Sequence, residues 1–187
     1  AIGAVNTIVN KDGNLIGHNT DFSGFLYMIE KHGITIEGKK CVVLGDGGAS
    51  KAVVAVLKKL NAKEIVIVDI RKTETSITYE ECFEKHTDAE IIANTSPVGM
   101  YPKVDATPVD ISLFEKCEAV LDVIYNPLET KLVRDATARG IKGVNGLEML
   151  VAQALYAAEF FTEKELDKAE IDKIYRKIYD EKAAESK

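Results

Sequence analysis

A run of glycines directly after a short apolar segment places the strongest constraint on how this chain can fold. Residues 42–44, Val-Val-Leu, are typical of a buried strand, and residues 45–48, Gly-Asp-Gly-Gly, follow at once. An amphipathic helical pattern then continues to Leu60. Glycines in such a turn adopt backbone angles that other residues avoid, and they let a ligand approach the main chain. The free N–H groups at the start of the helix favour an anion such as a pyrophosphate.

The next apolar segment supports a nucleotide-binding role for this turn. The sequence Gly-Asp-Gly-Gly-Ala at residues 45–49 departs from the usual dinucleotide fingerprint at its third glycine. A glycine turn that only reverses the chain is therefore the alternative interpretation. Residues 64–69, Glu-Ile-Val-Ile-Val-Asp, are apolar from Ile65 to Val68 and end in an acid, which predicts a strand of a parallel sheet covered on both faces. Asp69 follows Gly45 by 24 positions. This is close to the offset of about 20 residues at which an acid binds the adenosine ribose.

Strand and helix patterns alternate along the rest of the chain. The predicted strands are 90–93, 118–124 and 142–145, and the predicted helices are 79–86, 129–139 and 146–161. Before the glycine turn, residues 2–17 predict a hairpin, and residues 22–32 predict a helix capped by Asn19, Thr20 or Asp21. A charged segment from residue 162 predicts one more helix. Together these patterns predict an α/β fold with a Rossmann-like, doubly wound parallel sheet.

Composition and charge narrow the classes of function. The chain has 187 residues, of which 46% are hydrophobic, and no apolar run approaches the ~20 residues that span a membrane. Its net charge of −6, without a basic cluster, argues against nucleic acid or an anionic membrane as the partner. Cys41, Cys82 and Cys117 are scattered and have no metal-ligand spacing, which predicts reduced thiols, no metal site and a cytoplasmic protein.

Six short motifs, in this order, connect these elements to a known family. They are GAVNT at 3–7, GHNTD at 17–21, GDGGA at 45–49, NTSPVGM at 94–100, DVIYNP at 122–127 and GLEMLVAQA at 146–154. With these motifs the chain resembles the shikimate dehydrogenase family up to about Phe161. The resemblance implies reduction of 3-dehydroshikimate to shikimate with NADPH in the biosynthesis of aromatic amino acids. The implied partner is therefore a small-molecule substrate, while the oligomeric state stays open.

The resemblance also implies roles for individual residues. It makes Asp21 the acid that pairs with a catalytic lysine, and it makes Asn6, Asp21, Tyr125 and Gln153 substrate contacts. The residues that it implies along the cofactor path are Gly45, Gly47, Gly48, Ala49, Asp69, Arg71, Asn94, Thr95, Ser96 and Gly146. A polyhydroxylated acid needs several such polar groups in its binding site. A buried polar group that lacks its partner hydroxyl costs free energy, so the site discriminates against substrates without that hydroxyl.

Two departures from the family pattern concern the cofactor and the catalytic lysine. Where the family has Asn-Arg-Thr to hold the 2′-phosphate of NADP, this chain has Asp69-Ile70-Arg71. An acid there repels a phosphate and suits a free ribose, unless Arg71 or Lys72 offsets its charge, so NAD is almost as well supported as NADP. Asp46 replaces a small neutral residue near the pyrophosphate. The family's catalytic lysine and serine-rich carboxylate site have no counterpart among these residues, so we expect no shikimate oxidation by the 187-residue chain alone.

The resemblance further implies a division of the chain into domains and leaves three hypotheses about its function. Residues 1–32 are expected to be the remnant of a substrate domain with its linking helix, so that the chain is a piece of a longer protein. Residues 33–145 form the dinucleotide-binding domain, and residues 146–187 form a return helix and a charged helix. The first hypothesis is that the chain belongs to a shikimate dehydrogenase. The alternatives are an NAD-dependent quinate or shikimate dehydrogenase and a module that binds a nucleotide or metabolite without catalysis.

Overall fold

A computed structural model describes residues 2–185 of the chain. The outermost residues of the predicted division, Ala1, Ser186 and Lys187, lie outside the described part. The strands are β1 (Thr7–Lys11), β2 (Asn14–His18), β3 (Lys40–Leu44), β4 (Glu64–Val68), β5 (Ser76–Ile77), β6 (Ile91–Asn94), β7 (Ala119–Asp122) and β8 (Lys142–Val144). The helices are α1 (Thr20–Lys31), α2 (Gly48–Lys59), α3 (Tyr79–Lys85), α4 (Lys131–Ala138), α5 (Leu147–Thr162) and α6 (Ala169–Glu185), with a 3-10 turn at Ile111–Leu113.

Six of the strands form one parallel sheet, and β1 and β2 form a separate antiparallel hairpin. The order across the sheet is β5-β4-β3-β6-β7-β8, and every pair of neighbours is parallel. The chain moves outward from β3 through β4 to β5, and then returns to the other side of β3 at β6. The predicted doubly wound α/β fold is confirmed, and its switch point lies between β3 and β6. Ligands of such sheets bind at the carboxyl ends of the strands that flank this point.

Both faces of the sheet are buried. Alternate side chains of its central strands point to opposite faces, where each set packs in its own cluster. Val43 packs with Phe25, Met28 and Val53 on the face that α1 and α2 cover. Val42 packs on the opposite face, in a cluster that includes the side chains of Cys82, Val109, Phe114, Val120 and Leu132. The two-sided burial explains why the strands carry uninterrupted apolar runs rather than an alternating pattern.

Helices α1 and α5 pack closely against each other, and this contact joins the hairpin side of the molecule to the sheet. A Cβ atom at Gly24 would lie 2.6 Å from the backbone oxygen of Met149, so the approach of the two helices requires glycine at this position. Helix α6 packs against α5 through Ile171, which is fully buried. Helices α5 and α6 therefore share one helical layer with α1.

Several predicted boundaries move once the structure is known. Residues 2–6 are not in a strand, and β1 begins only at Thr7. Asn19 is the cap of α1, because its side chain accepts a hydrogen bond from the N–H of Phe22. The predicted strand 118–124 is shorter, since β7 ends at Asp122. The two-residue strand β5 was not predicted, because residues 71–76 are polar and only pairing with β4 makes Ser76 and Ile77 a strand.

Candidate active site

The glycine turn lies at the switch point of the sheet, where the loop after β3 meets the loop after β6. The N–H of Thr95 donates to the carbonyl oxygen of Leu44 at 2.8 Å, and the Thr95 hydroxyl donates to the same oxygen at 2.8 Å. Gly45 has a φ of +101°, and a Cβ there would lie 3.0 Å from the Thr95 hydroxyl oxygen. Gly45 is therefore required both by its backbone angle and by the close approach of residues 95 and 96.

The start of α2 fits an anionic group such as a pyrophosphate. Gly47 caps this helix without a side-chain hydrogen bond, and apart from the adjacent residues and the helix backbone no atom of the described residues lies within 4 Å of a Cβ built on Gly47 or Gly48. The hydroxyl of Ser50, in the first turn, is buried and has no hydrogen-bond partner in the part of the chain that the structure describes. Uncapped N–H groups, a free hydroxyl and open space above two glycines together suit a phosphate group.

Asp69 and Asp46 lie together beside this turn. A carboxylate oxygen of Asp69 accepts a hydrogen bond from the N–H of Asp46 at 2.9 Å, so the predicted ribose-binding acid also braces the glycine turn. The Asp46 carboxylate accepts hydrogen bonds from the hydroxyls of Thr73 at 3.1 Å and Thr75 at 2.9 Å. Arg71 is exposed on the same loop. The loop between β4 and β5 is thus tied to the glycine turn by two carboxylates.

A buried polar network fixes the loop after β6. Asp122, at the end of β7, is fully buried and accepts hydrogen bonds from Asn94 Nδ2 at 3.0 Å, the N–H of Ile124 at 3.0 Å and the hydroxyl of Thr130 at 2.7 Å. Asn94 Oδ1 then accepts from the N–H of Ser96 at 3.0 Å and from its hydroxyl at 2.7 Å. Burial raises the pKa of Asp122 to about 6, against the opposing effect of its three donors.

The four predicted substrate contacts lie around one cavity of about 300 Å³. Asn6 and Asp21 come from the hairpin side, Tyr125 follows β7, and Gln153 belongs to α5. The same cavity is lined by two predicted cofactor residues, Ala49 and Gly146, together with the apolar side chains of Val123, Met149 and Leu150. The cavity therefore connects the polar groups of the hairpin side to the glycine turn.

Gly146 lets the main chain after β8 lie directly against the end of β7. A Cβ on Gly146 would overlap the carbonyl oxygen of Val123, and the N–H of Gly146 donates to the carbonyl oxygen of Ile124 at 2.9 Å. Beside it, a second cavity of about 350 Å³ is lined by Thr95, Ser96, Val123 and Tyr125, among others. Val123 and Tyr125 border both cavities, so the predicted cofactor loop and the predicted substrate contacts face adjoining spaces.

Thr20 connects two of the predicted substrate contacts. The N–H of Thr20 donates to Asn6 Oδ1 at 2.8 Å, and its hydroxyl lies 3.0 Å from Gln153 Oε1. The side chain of Asn6 also interacts with the carboxyl group of Asp21. Burial raises the pKa of Asp21, and the Asn6 hydrogen bond opposes part of this rise. A carboxyl group with a raised pKa is a better proton acceptor when ionised.

Neither a metal site nor a membrane-spanning helix is found in residues 2–185. Within this range, His, Cys, Asp and Glu side chains do not form a group of three or more that could hold a metal ion. None of the helices there combines the length and the apolar character needed to cross a bilayer.

The comparison with known proteins decides the family. The shikimate dehydrogenase (NADP(+)) of Clostridium perfringens strain SM101 is 39% identical over 188 residues, which cover 95% of this chain and 69% of the relative. The chain belongs to the shikimate dehydrogenase family. No family model matches the sequence.

Solved structures agree with the shikimate dehydrogenase fold. A chorismate mutase/shikimate 5-dehydrogenase fusion protein from Clostridium acetobutylicum has a TM-score of 0.91 at 37% identity, over 98% of this chain and 68% of that one. A shikimate 5-dehydrogenase from Thermus thermophilus, solved with NADP(H) and shikimate, has a TM-score of 0.82 at 31% identity. It matches over 94% of this chain and 69% of that chain.

Three features of this shikimate dehydrogenase chain were missed from the sequence. Thr20 was considered only as a helix cap, and Asp122 was quoted within a motif but received no role. The third is His32, whose Nε2 lies 2.5 Å from Glu148 Oε2, which joins the end of α1 to the first turn of α5. A polar residue at the end of an apolar strand was the available signal for Asp122. Gln153, to which the Thr20 hydroxyl donates, and Glu148, the partner of His32, lie more than a hundred residues away, so the sequence carried no local signal for these two contacts.

Proposed function

We propose that this chain forms the cofactor-binding part and one wall of the substrate site of an NADP-dependent shikimate dehydrogenase. The enzyme interconverts 3-dehydroshikimate and shikimate in the biosynthesis of aromatic amino acids. One observation carries the proposal: Asn6, Asp21, Tyr125 and Gln153, which are far apart in sequence, line a single cavity that also reaches the glycine turn.

The glycine turn and the start of α2 hold the pyrophosphate in this proposal. Gly47, Gly48 and Ala49 offer N–H groups, and the free hydroxyl of Ser50 donates one further hydrogen bond. Gly45 and the Asn94-Thr95-Ser96 loop border the path from this point into the cavities. When bound, the nicotinamide supplies the hydride chemistry, while the residues of this chain bind it, orient it and exclude water.

Asn6, Tyr125 and Gln153 orient the hydroxyl groups of the substrate. Thr20 and Leu150 hold the amide of Gln153, since Gln153 Nε2 donates to the carbonyl oxygen of Leu150 at 3.0 Å. Fixed amide and phenol groups leave an unpaired buried polar atom when a substrate lacks the matching hydroxyl, which gives discrimination. Asp21 lines the same cavity, where its carboxyl group pairs with the catalytic lysine of the family, and burial raises its pKa.

The division of the chain belongs to the same proposal. Residues 1–32 contribute to the substrate side, residues 33–145 form the dinucleotide-binding domain, and residues 146–187 return along the substrate side. The three cysteines are free and buried, which suits the reducing conditions of the cytoplasm, where we place the enzyme.

Equilibrium binding tests this function. NADPH fluorescence is titrated with the purified chain, and the titration is repeated with saturating shikimate. We expect NADPH to bind, and Asn6→Ala to weaken shikimate binding while NADPH affinity stays within about twofold, because Asn6 lies on the substrate wall. Absence of NADPH binding, or equal loss of both ligands in Asn6→Ala with unchanged circular dichroism, would contradict the proposal.

A further inference from the structure

We propose that Asp46 determines cofactor specificity in this chain by opposing the 2′-phosphate of NADP. The inference rests on the proposed function and deepens it, since it concerns the ribose end of the same cofactor site. The consequence is that this dehydrogenase tolerates a cofactor with a free 2′-hydroxyl, and that a side chain of the glycine turn contributes to this tolerance together with Asp69.

The position of Asp46 follows from its contacts with the ribose side of the turn. Its N–H donates to Asp69 at 2.9 Å, and Asp69 directly follows β4, where an acid meets the adenosine ribose in dinucleotide-binding sheets. Asp46 therefore lies beside the place of the 2′ substituent. Two carboxylates converge on this place.

Asp46 also engages the hydroxyl groups that a phosphate would use. Thr73 and Thr75 both donate to Asp46 Oδ2, and Thr73 Oγ1 accepts from the N–H groups of Thr75 at 3.1 Å and Ser76 at 3.0 Å. These bonds close the loop between β4 and β5 over the Asp46 carboxylate. A 2′-phosphate would have to displace this carboxylate from its donors and would meet its negative charge.

Several cations lie near the two acids, and two of them, Lys72 and Lys51, already have hydrogen-bond partners. Lys72 is paired with Glu81, with 2.6 Å between Nζ and Oε1. Arg71 is exposed, and its N–H, rather than its guanidinium, contacts Asp69 at 3.4 Å. Lys51 and Lys58 line one cavity with Asp46 and Thr75, and Lys51 Nζ donates to the carbonyl oxygen of Gly3 at 3.3 Å. Charges at such short separations are only partly screened at ordinary salt, where the Debye length is about 10 Å.

The test compares two nucleotides that differ only by the 2′-phosphate, namely 2′,5′-ADP and 5′-ADP. Their dissociation constants are measured by calorimetry at one ionic strength for the wild-type chain, Asp46→Asn, Asp46→Ala and Glu74→Gln. Glu74 is exposed on the same loop, so Glu74→Gln removes an equal charge and serves as the matched control. Circular dichroism and thermal melts verify that each variant is folded.

We expect both Asp46 variants to shift the preference toward 2′,5′-ADP by about tenfold, with a change below about twofold in Glu74→Gln. A preference that stays unchanged in Asp46→Asn and Asp46→Ala would overturn the inference, as would an equal shift in the control. If neither nucleotide binds the wild-type chain, the proposed cofactor site fails and the inference fails with it. If both bind and only the preference is unchanged, the cofactor site stands and the role of Asp46 does not.

Discussion

Replacing Asp122 with Asn should remove a pH dependence of stability that this one buried carboxyl group creates. Burial raises its pKa from 3.8 to about 6. At about 1.4 kcal/mol per pKa unit, this rise corresponds to about 3 kcal/mol between the protonated and ionised forms. The folded protein holds the proton more tightly than the unfolded chain, so the contribution to stability is complete below pH 4. It is lost as the pH rises through about 6.

Asn at position 122 keeps most of the network without the charge. Asn94 Nδ2 and the N–H of Ile124 both donate to Oδ1, which the amide retains, and the Thr130 hydroxyl is able to turn and accept from the new NH₂ group. Urea unfolding followed by circular dichroism at pH 4, 5, 6 and 7 gives the free energy of unfolding of both proteins. Relative to the wild type, the free energy of unfolding of the variant should increase by up to about 3 kcal/mol between pH 4 and pH 7.

Asp110→Asn provides a control of opposite sign. Asp110 is exposed, and hydrogen bonds from Ser112 lower its pKa, so its contribution to stability increases as the pH rises. The free energy of unfolding of Asp110→Asn should therefore decrease relative to the wild type as the pH rises. A difference between Asp122→Asn and wild type that does not change with pH would refute the reasoning. A difference that falls with rising pH would show that the three donors outweigh burial.

Two further substitutions test the positions of groups around the cavity. Thr20→Val should weaken shikimate binding by about five- to tenfold in calorimetry, because the hydrogen bond to Gln153 is lost. In the control Thr20→Ser, shikimate affinity should stay within about twofold of the wild type. Equal effects of the two substitutions would contradict a positioning role of the hydroxyl. Ser50→Ala should weaken NADPH binding by about three- to tenfold without lowering the free energy of unfolding, because the Ser50 hydroxyl is buried and lacks a partner among residues 2–185. Loss of stability with unchanged NADPH affinity would show that this hydroxyl serves the fold instead.

The sequence predicted the architecture well wherever an element depends on its own residues. The apolar segments at 42–44 and 64–68 and the glycines between them determine a strand, a turn and a helix locally, and the structure places them as expected. Strand β5 escaped prediction because Ser76 and Ile77 become a strand only through pairing with Ile67 and Val68. Its existence depends on β4 rather than on its own composition.

The groups that position the site were harder to predict than the groups that form it. Asn6 and Gln153 belong to recognisable motifs, whereas the bonds that orient them pass through Thr20, whose 3.0 Å contact to Gln153 spans 133 positions of sequence. Asp46 was recognised as unusual, but the hydroxyls of Thr73 and Thr75 that surround it were not, because a polar loop has no periodicity to fix its course.

The proposed function requires the nicotinamide and shikimate to lie in contact, since a hydride passes directly between them. Interligand nuclear Overhauser effects between the nicotinamide protons of NADP and the ring protons of shikimate, recorded with both ligands in excess over the chain, measure this contact. The cavity that joins Asn6, Asp21, Tyr125 and Gln153 to Ala49 and Gly146 predicts such an effect, and Asn6→Ala should abolish it while NADP stays bound. Binding of both ligands without an interligand effect would contradict a shared site.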